Sequence, residues 1–335
     1  MTNMKKLGLS ALAGSLVAFS ANAVEMGVTG TAEVTYTTSG GKGSAPTGNP
    51  WGSNTAISFS GEGDVGFGTA KIVRTLQDGA NHGTFTDNFV SAWQTLDMGS
   101  IGVFSFDSTA GALVGVTAND DLMPTAYEEV STGVSTKGIT GVGSTNVIGY
   151  RNTFGMFSVS AGYSQGGTST AESGSSGEAS HGSKEDIYVS MSGLVDGLTI
   201  GAGYATDSTP NNVTGNTDTK EAVGNIVYST GPVSVGYRLA NANSGTAGTA
   251  DRDVSHYAIA FNVNDNFKLS YGIQDTEKKE DGAANNSVTE EVTGISAAYT
   301  SGAASVRLNH SKSDNDNGVT AVDDETTELS LVLSF

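Results

Sequence analysis

The stretch Glu328-Leu-Ser-Leu-Val-Leu-Ser-Phe335 carries the pattern that organises the whole chain. Its apolar residues fall on alternate positions and its polar residues fall between them, with Val332 as the one exception. Such alternation predicts a β-strand with one apolar and one polar face. The apolar face carries Leu329, Leu331, Leu333 and Phe335, and the polar face carries Glu328, Ser330 and Ser334.

The same alternation recurs earlier in the chain. Val233, Val235, Tyr237 and Leu239 alternate with Ser234, Gly236 and Arg238, and Phe267, Leu269, Tyr271 and Ile273 alternate with Lys268, Ser270, Gly272 and Gln274. A polar face cannot form a dry core, because buried polar groups need hydrogen-bonding partners. We therefore expect water on the polar side, apolar surroundings on the other side, and a closed sheet that leaves no unpaired edge.

Turn residues divide the chain after residue 23 into sixteen candidate strands. They span 25–38, 54–64, 69–78, 88–97, 101–107, 146–152, 156–165, 184–193, 197–207, 220–230, 232–242, 252–263, 266–277, 289–300, 303–312 and 324–335. Short and long connections alternate between them without a break, and the connection over 108–145 is the longest. Tight turns at one end and long loops at the other are typical of a transmembrane antiparallel β-barrel. The sequence predicts this all-β fold for a single domain over 24–335.

Composition excludes several other classes of protein. Hydrophobic residues make up 37% of the 335 residues and form no long apolar run after residue 23, which excludes a bundle of transmembrane helices. The chain has no cysteine and therefore no disulfide framework. Its net charge of −19 argues against nucleic acid or anionic lipid as a partner.

The beginning of the chain has the layout of a secretory signal peptide. Lys5 and Lys6 precede an apolar stretch over 7–19, and small residues follow at 21–23. This order of a basic start, an apolar stretch and a small-residue cleavage site predicts export with cleavage after Ala23. The apolar stretch is short for a membrane-spanning helix, which needs ~20 residues.

These features together resemble the general porins of Gram-negative bacteria, in particular the Rhodobacter-like alphaproteobacterial type. The resemblance rests on the signal peptide, the segment 146–163 (NVIGYRNTFGMFSVSAGY) and the ending 329–335. It implies a sixteen-stranded barrel in the bacterial outer membrane, amid lipid and lipopolysaccharide, that assembles as a homotrimer. It also implies that the barrel assembly machinery recognises Phe335 and that the third external loop, here 108–145, folds into the lumen. The Pro-Glu-Phe-Gly type of motif found in that family's loop is missing, since Thr125 and Ala126 follow Pro124.

A pore narrowed by such a loop predicts acids on one side and bases on the other, because a transverse field orders water and favours small charged solutes. The candidate acids are Asp107, Asp120, Asp121, Glu128 and Glu129, with Lys137 as the one base between 108 and 145. The candidate bases on the wall, assigned by strand parity, are Lys71, Arg151, Arg238, Lys268 and Arg307. Arg74 falls on the opposite face from Lys71 and needs shelter such as a subunit contact, because an arginine facing lipid costs roughly 2–4 kcal/mol. A solvated external loop is the alternative interpretation of the acids.

No motif for enzymatic chemistry stands out, and we expect neither catalysis nor a cofactor. The four histidines are too far apart in sequence to show a metal-binding spacing. The acid-rich stretches 314–317 and 323–325 offer clustered oxygens of the kind that bind calcium, although a hydrated loop is the favoured interpretation.

The leading functional hypothesis is passive diffusion of small hydrophilic solutes and ions, with a preference for cations. The second is a substrate-selective outer-membrane channel. Channels selective for sugars tend to carry a run of aromatic residues along the lumen, and the inward positions of the predicted strands show no such run. The third, from another class, is a secreted soluble β-protein such as an adhesin or lectin. Solubility of the mature chain without detergent would favour this third hypothesis.

Overall fold

The computed structural model describes residues 25–41, 49–77, 90–109, 123–127, 141–142, 146–166, 182–208, 217–245, 250–279 and 287–335. Within these residues, sixteen antiparallel strands follow one another around a closed barrel in which the first strand pairs with the last. The predicted all-β barrel and its strand number are confirmed. No helix in this part of the chain is long and apolar enough to cross a membrane.

The strands are β1 (Glu25–Gly41), β2 (Trp51–Asp64), β3 (Thr69–Gln77), β4 (Ser91–Asp97), β5 (Val103–Thr109), β6 (Val147–Phe154), β7 (Phe157–Ser164), β8 (Lys184–Ser192), β9 (Leu198–Asp207), β10 (Thr219–Thr230), β11 (Val233–Asn243), β12 (Asp251–Asn262), β13 (Phe267–Lys279), β14 (Ser287–Ser301), β15 (Ala304–Asp314) and β16 (Asp324–Ser334). Single 3₁₀ turns lie at Gly99–Ile101 and Asp316–Gly318. The predicted strands agree with these bounds to within a few residues. β1 is longer than predicted because Ser39, Gly40 and Gly41, which have the composition of a turn, pair with residues 324–326 of β16.

Alternate side chains divide the two faces of the barrel. On β16, Leu329 and Leu331 are exposed, while Ser330 between them is fully buried. On β13, Tyr271 is exposed while the flanking Ser270 and the nearby Gln274 are buried. The outside of the barrel therefore carries mainly apolar side chains and the inside carries mainly polar ones, as expected for a transmembrane barrel with a polar lumen.

Tight turns join the strands at one end of the barrel. Gly155, Gly231 and Gly302 each begin a two-residue turn with φ of 62°, 54° and 58°, a conformation that glycine adopts without steric cost. Hydroxyl side chains hydrogen-bond across each of these turns. The pairs are Thr153 with Ser158 at 3.0 Å, Ser229 with Ser234 at 2.8 Å and Thr300 with Ser305 at 2.9 Å. The strand ends that the longer connections join, including those of β5 and β6, lie at the opposite end of the barrel.

Candidate pore constriction

The connection between β5 and β6 reaches the inner wall of the barrel at β11. Met123 is almost fully buried, with 2% of its surface exposed. Gly236 lies on the inward face of β11, and a Cβ atom there would come within 2.5 Å of Pro124 Cδ and 3.0 Å of Met123 Cε. Glycine at 236 therefore makes room for the connection to pack directly on the wall.

The next residues of the connection contact β13. The backbone N–H of Ala126 donates a hydrogen bond to Oγ of Ser270 at 2.8 Å, and Thr125 Oγ1 lies 3.4 Å from the same hydroxyl. Ser270 is a buried residue on the inward face of β13. These contacts carry the connection along the inner wall from β11 to β13.

Tyr127 then reaches the place where the barrel closes. Its hydroxyl donates to Oε1 of Glu328 on β16 at 2.8 Å, and the guanidinium carbon of Arg307 on β15 lies 4.2 Å from the centre of its ring. Oε2 of Glu328 accepts a hydrogen bond from Thr37 Oγ1 on β1 at 3.1 Å. One side chain of the connection thereby contacts two strands directly and is linked to a third through Glu328.

The returning part of the connection is held by two acids on the wall. The N–H of Gly141 donates to Oε2 of Glu221 at 2.7 Å, and the N–H of Val142 donates to Oδ2 of Asp186 at 3.2 Å. A Cβ atom at Gly162 of β7 would come within 2.7 Å of Val142 Cγ2, so the two residues are in close contact. Both described pieces of the connection therefore contact inward-facing side chains of the barrel.

Of the predicted acids, the structure describes one. Asp107 lies near the end of β5, 1% exposed, on the inward face that also carries Ser105. The predicted loop residues Asp120, Asp121, Glu128, Glu129 and Lys137 lie outside the described residues.

Four inward-facing acids were not predicted from the sequence as site residues: Glu33, Asp186, Glu221 and Glu328. Each lies on the polar face of its strand, so strand parity applied to acids as well as to bases would have found them.

The predicted bases lie in different environments. Arg151 on β6 is exposed and lies beside a cavity of about 510 Å³ whose lining includes Thr153, Ser160 and Ser190. Lys71 is partly exposed and forms an ion pair with Glu62 at 3.2 Å. Lys268 is half-buried on the inward face of β13.

The remaining two bases are more enclosed. Arg238 is 4% exposed and donates to Oε1 of Gln274 at 3.3 Å. Arg307 forms an ion pair with Glu33 at 2.7 Å, beneath the ring of Tyr127. The five bases are not brought together into one cluster. Arg238, Lys268 and Arg307 lie on strands that the connection contacts, whereas Arg151 and Lys71 lie on other strands.

The sequence matches one family model over residues 8–280 and 173–335, and that model is described as Gram-negative porin. The chain belongs to the Gram-negative porin family. The resemblance inferred from the sequence is confirmed. No curated protein sequence matches this porin.

Solved porin structures share the fold. The anion-selective porin from Comamonas acidovorans gives a TM-score of 0.69 at 14% identity over 93% of this chain and 100% of that one. Salmonella typhi OmpF, solved in complex with daunomycin, gives 0.69 at 12% identity over 92% of this chain and 97% of that one. A mutant of the Rh. blastica porin gives 0.63 at 12% identity over 93% of this chain and 100% of that one. These likenesses concern the fold.

Arg74 lies on the outward face of this porin, between Ile72 and Leu76 on β3. Its guanidinium donates to the carbonyl oxygens of Val73 at 2.7 Å and of Trp93 at 3.1 Å. Backbone carbonyls thus satisfy part of its hydrogen-bonding capacity on a strand whose other outward side chains are apolar.

The two aspartates of the stretch 314–317 lie in different surroundings in this porin. Asp314 pairs with Lys312 at 3.0 Å on the outward face, whereas Asp316 is buried in the turn beside Asn317. Within the part of the chain that the structure describes, no three His, Cys, Asp or Glu side chains are grouped so as to hold a metal ion. The hydrated loop stays the favoured interpretation of this stretch, and calcium binding stays the alternative.

Proposed function

We propose that this porin forms a water-filled channel for passive diffusion of small hydrophilic solutes and ions, that the connection over 108–145 narrows it, and that cations pass more readily than anions. The observation that carries the proposal is the attachment of Tyr127, Ala126 and Gly141 to inward-facing side chains of Glu328, Ser270 and Glu221. A segment held against the inner wall at several points occupies part of the lumen. Family membership supports an outer-membrane location.

Charge supports the preference for cations. The chain has a net charge of −19, and the candidate loop acids outnumber Lys137 four to one. Two of the five candidate wall bases, Lys71 and Arg307, are already paired with carboxylates. The fold does not determine the sign of the selectivity, since a porin described as anion-selective shares it. A polar pore with excess negative charge raises the local concentration of cations.

Conductance of the purified protein in a planar bilayer tests this function directly. A salt gradient across the bilayer should give discrete ohmic steps and a reversal potential with the sign expected for cation permeation. A reversal potential of the opposite sign would contradict the cation preference. A protein that is correctly folded but gives no conductance would contradict the channel itself.

We further propose that this porin assembles as a homotrimer through β2, β3 and β4. The outward faces of these strands carry the polar side chains of Ser53, Thr55, Arg74 and Gln94. Polar groups facing lipid are unfavourable, so a second copy of the chain is the proposed cover for this sector. Unheated samples in SDS should migrate as a larger species than boiled ones. Arg74→Ala should weaken that species, whereas Lys220→Ala, which removes an outward base on β10, should not.

Export and assembly complete the proposal. We propose that residues 1–23 are removed on export and that the barrel assembly machinery recognises the aromatic ring of Phe335. Phe335 is 72% exposed as a residue, so removing its ring should cost little packing energy. Phe335→Ala should therefore reduce membrane insertion in cells while refolding in detergent stays near normal. Equal, modest losses in both assays would leave Phe335 with a packing role alone.

A further inference from the structure

The guanidinium of Arg307 is hydrogen-bonded to neighbouring side chains on the barrel wall. Its Nη2 atom donates to Oε1 of Glu33 at 2.7 Å and to Oγ of Ser330 at 3.2 Å, and the hydroxyl of Ser330 also donates to Glu33. The opposite charges of Arg307 and Glu33 cancel at short range. A base neutralised in this way contributes little to the field that a passing ion experiences.

The aromatic ring of Tyr127 lies against this neutralised arginine. A guanidinium 4.2 Å from a ring centre makes a cation–π contact, and such contacts are stronger where water is excluded. Arg307 exposes 26% of its side chain and Glu33 exposes 23%, so the pair is substantially shielded from solvent. The same ring carries the hydroxyl that donates to Glu328. Tyr127 is thus held by its face and by its hydroxyl at once.

The arrangement differs from the backbone attachments of the connection. At Ala126, Gly141 and Val142 the connection uses backbone N–H groups, which every residue except proline could supply. At Tyr127 it uses a side chain, so the attachment depends on the identity of one residue. Its acceptor is a carboxylate, as at Gly141 and Val142, and hydrogen bonds to charged groups are stronger than those between neutral groups.

We propose that Tyr127 is the positioning residue of the pore, and that Arg307 and Glu328 hold it in place rather than select ions. We call these three side chains the Tyr127 latch. This inference rests on the proposed function, in which the connection narrows the lumen. Releasing the latch lets the connection leave the wall, and the width of the pore then fluctuates. The latch therefore determines the steadiness of the conductance more than the ratio of cations to anions.

Tyr127→Phe tests the latch because it keeps the ring and removes the hydroxyl without changing the charge. We expect the fraction of time spent away from the main conductance level to rise about 10-fold or more, as the loss of a hydrogen bond to a charged group implies. The reversal potential should stay unchanged. The matched control is Tyr150→Phe, which removes a tyrosine hydroxyl that donates to the Ile101 carbonyl at 2.8 Å, near the tight turns. This control should behave as the wild type.

The outcomes separate the latch from the channel. A conducting wild type with an equally steady Tyr127→Phe variant would overturn the latch alone. A folded wild type without conductance would overturn the proposed function and the latch with it. Glu328→Gln provides a second variant, because it keeps an acceptor oxygen but loses the charge, and it should also increase the time spent away from the main level. Heat-dependent mobility in SDS checks that each variant is folded.

A disulfide tests whether movement of the connection away from the wall causes the fluctuation in conductance. Thr125 Oγ1 and Ser270 Oγ lie 3.4 Å apart, and the chain has no cysteine of its own. In the Tyr127→Phe background, Thr125→Cys with Ser270→Cys should restore a single conductance level when oxidised and lose it again when reduced. Conductance that still fluctuates in the oxidised protein would overturn the latch, because the disulfide would then hold the connection on the wall without steadying the conductance.

Discussion

The ring of Phe335 lies over Gly30 of the first strand. The two residues exchange backbone hydrogen bonds of 2.7 and 2.9 Å, and a Cβ atom at Gly30 would come within 2.3 Å of the ring. The pair continues the closure of the barrel one step beyond the pairing of Thr31 with Ser334. Glycine at position 30 is therefore required by the space that the ring occupies, not by backbone conformation.

Gly30→Ala should accordingly destabilise the refolded barrel by about 1 kcal/mol, the lower end of the range for overpacking, because the exposed ring can partly move aside. Denaturant midpoints in detergent measure the effect. Gly224→Ala is the matched control, since the nearest atom to a Cβ there is 4.0 Å away. Equal midpoints for the two variants would show that the ring leaves Gly30 without cost.

The loop acids carry the second prediction. Neutralising Asp120, Asp121, Glu128 and Glu129 to Asn or Gln should lower the preference for cations, and the difference from wild type should shrink at 1 M salt, where screening acts within ~3 Å. Reversal potentials in salt gradients measure the preference. Neutralising Asp251, Asp253, Glu277 and Glu291, which lie on the outward face, is the control and should have little effect. An unchanged reversal potential in the loop variant would place those acids outside the pore.

Two wall arginines should respond differently to neutralisation. Arg151 is exposed beside a cavity, so Arg151→Gln should raise the preference for cations. A unit charge in water changes the energy of an ion 4 Å away by ~1 kcal/mol, which corresponds to a several-fold change in local ion concentration. Glu33→Gln combined with Arg307→Gln removes a neutral pair and should leave the reversal potential close to that of wild type. A shift from the double variant as large as that from Arg151→Gln would contradict the assignment of Arg307 to the latch.

Deleting residues 123–142 removes both described attachments of the connection. Single-channel conductance should rise and larger sugars should enter liposomes, because the lumen loses the segment that narrows it. The barrel should still fold, since its strands pair with one another rather than with this connection. Liposome swelling with sugars of increasing size measures the exclusion limit. A folded deletion variant with wild-type conductance would show that the connection does not narrow the pore.

Alternation was sufficient to predict the barrel, because apolar and aqueous surroundings on opposite faces impose a period of two on every strand. The contacts of the connection could not be predicted in the same way. Met123 and Tyr127 lie in a segment without periodicity, so nothing in the sequence indicates that one packs on Gly236 and the other bonds to Glu328. Parity likewise placed Arg238 on the inward face without indicating that it is almost fully buried there.

The partners of Tyr127 have a consequence for the order of folding. Glu328 bonds to Thr37, 291 positions earlier in the chain, and Arg307 bonds to Glu33, so the surface that receives Tyr127 is completed only when the last strand meets the first. Pairing between such distant segments is slow, because the entropy cost of closing a long loop is incurred before the contact contributes favourable free energy. A barrel in which β1 and β16 have not yet paired would lack some of the side chains that hold the connection. Its pore would therefore not be narrowed. The narrowed pore therefore forms late in folding, after β1 and β16 have paired and the barrel has closed.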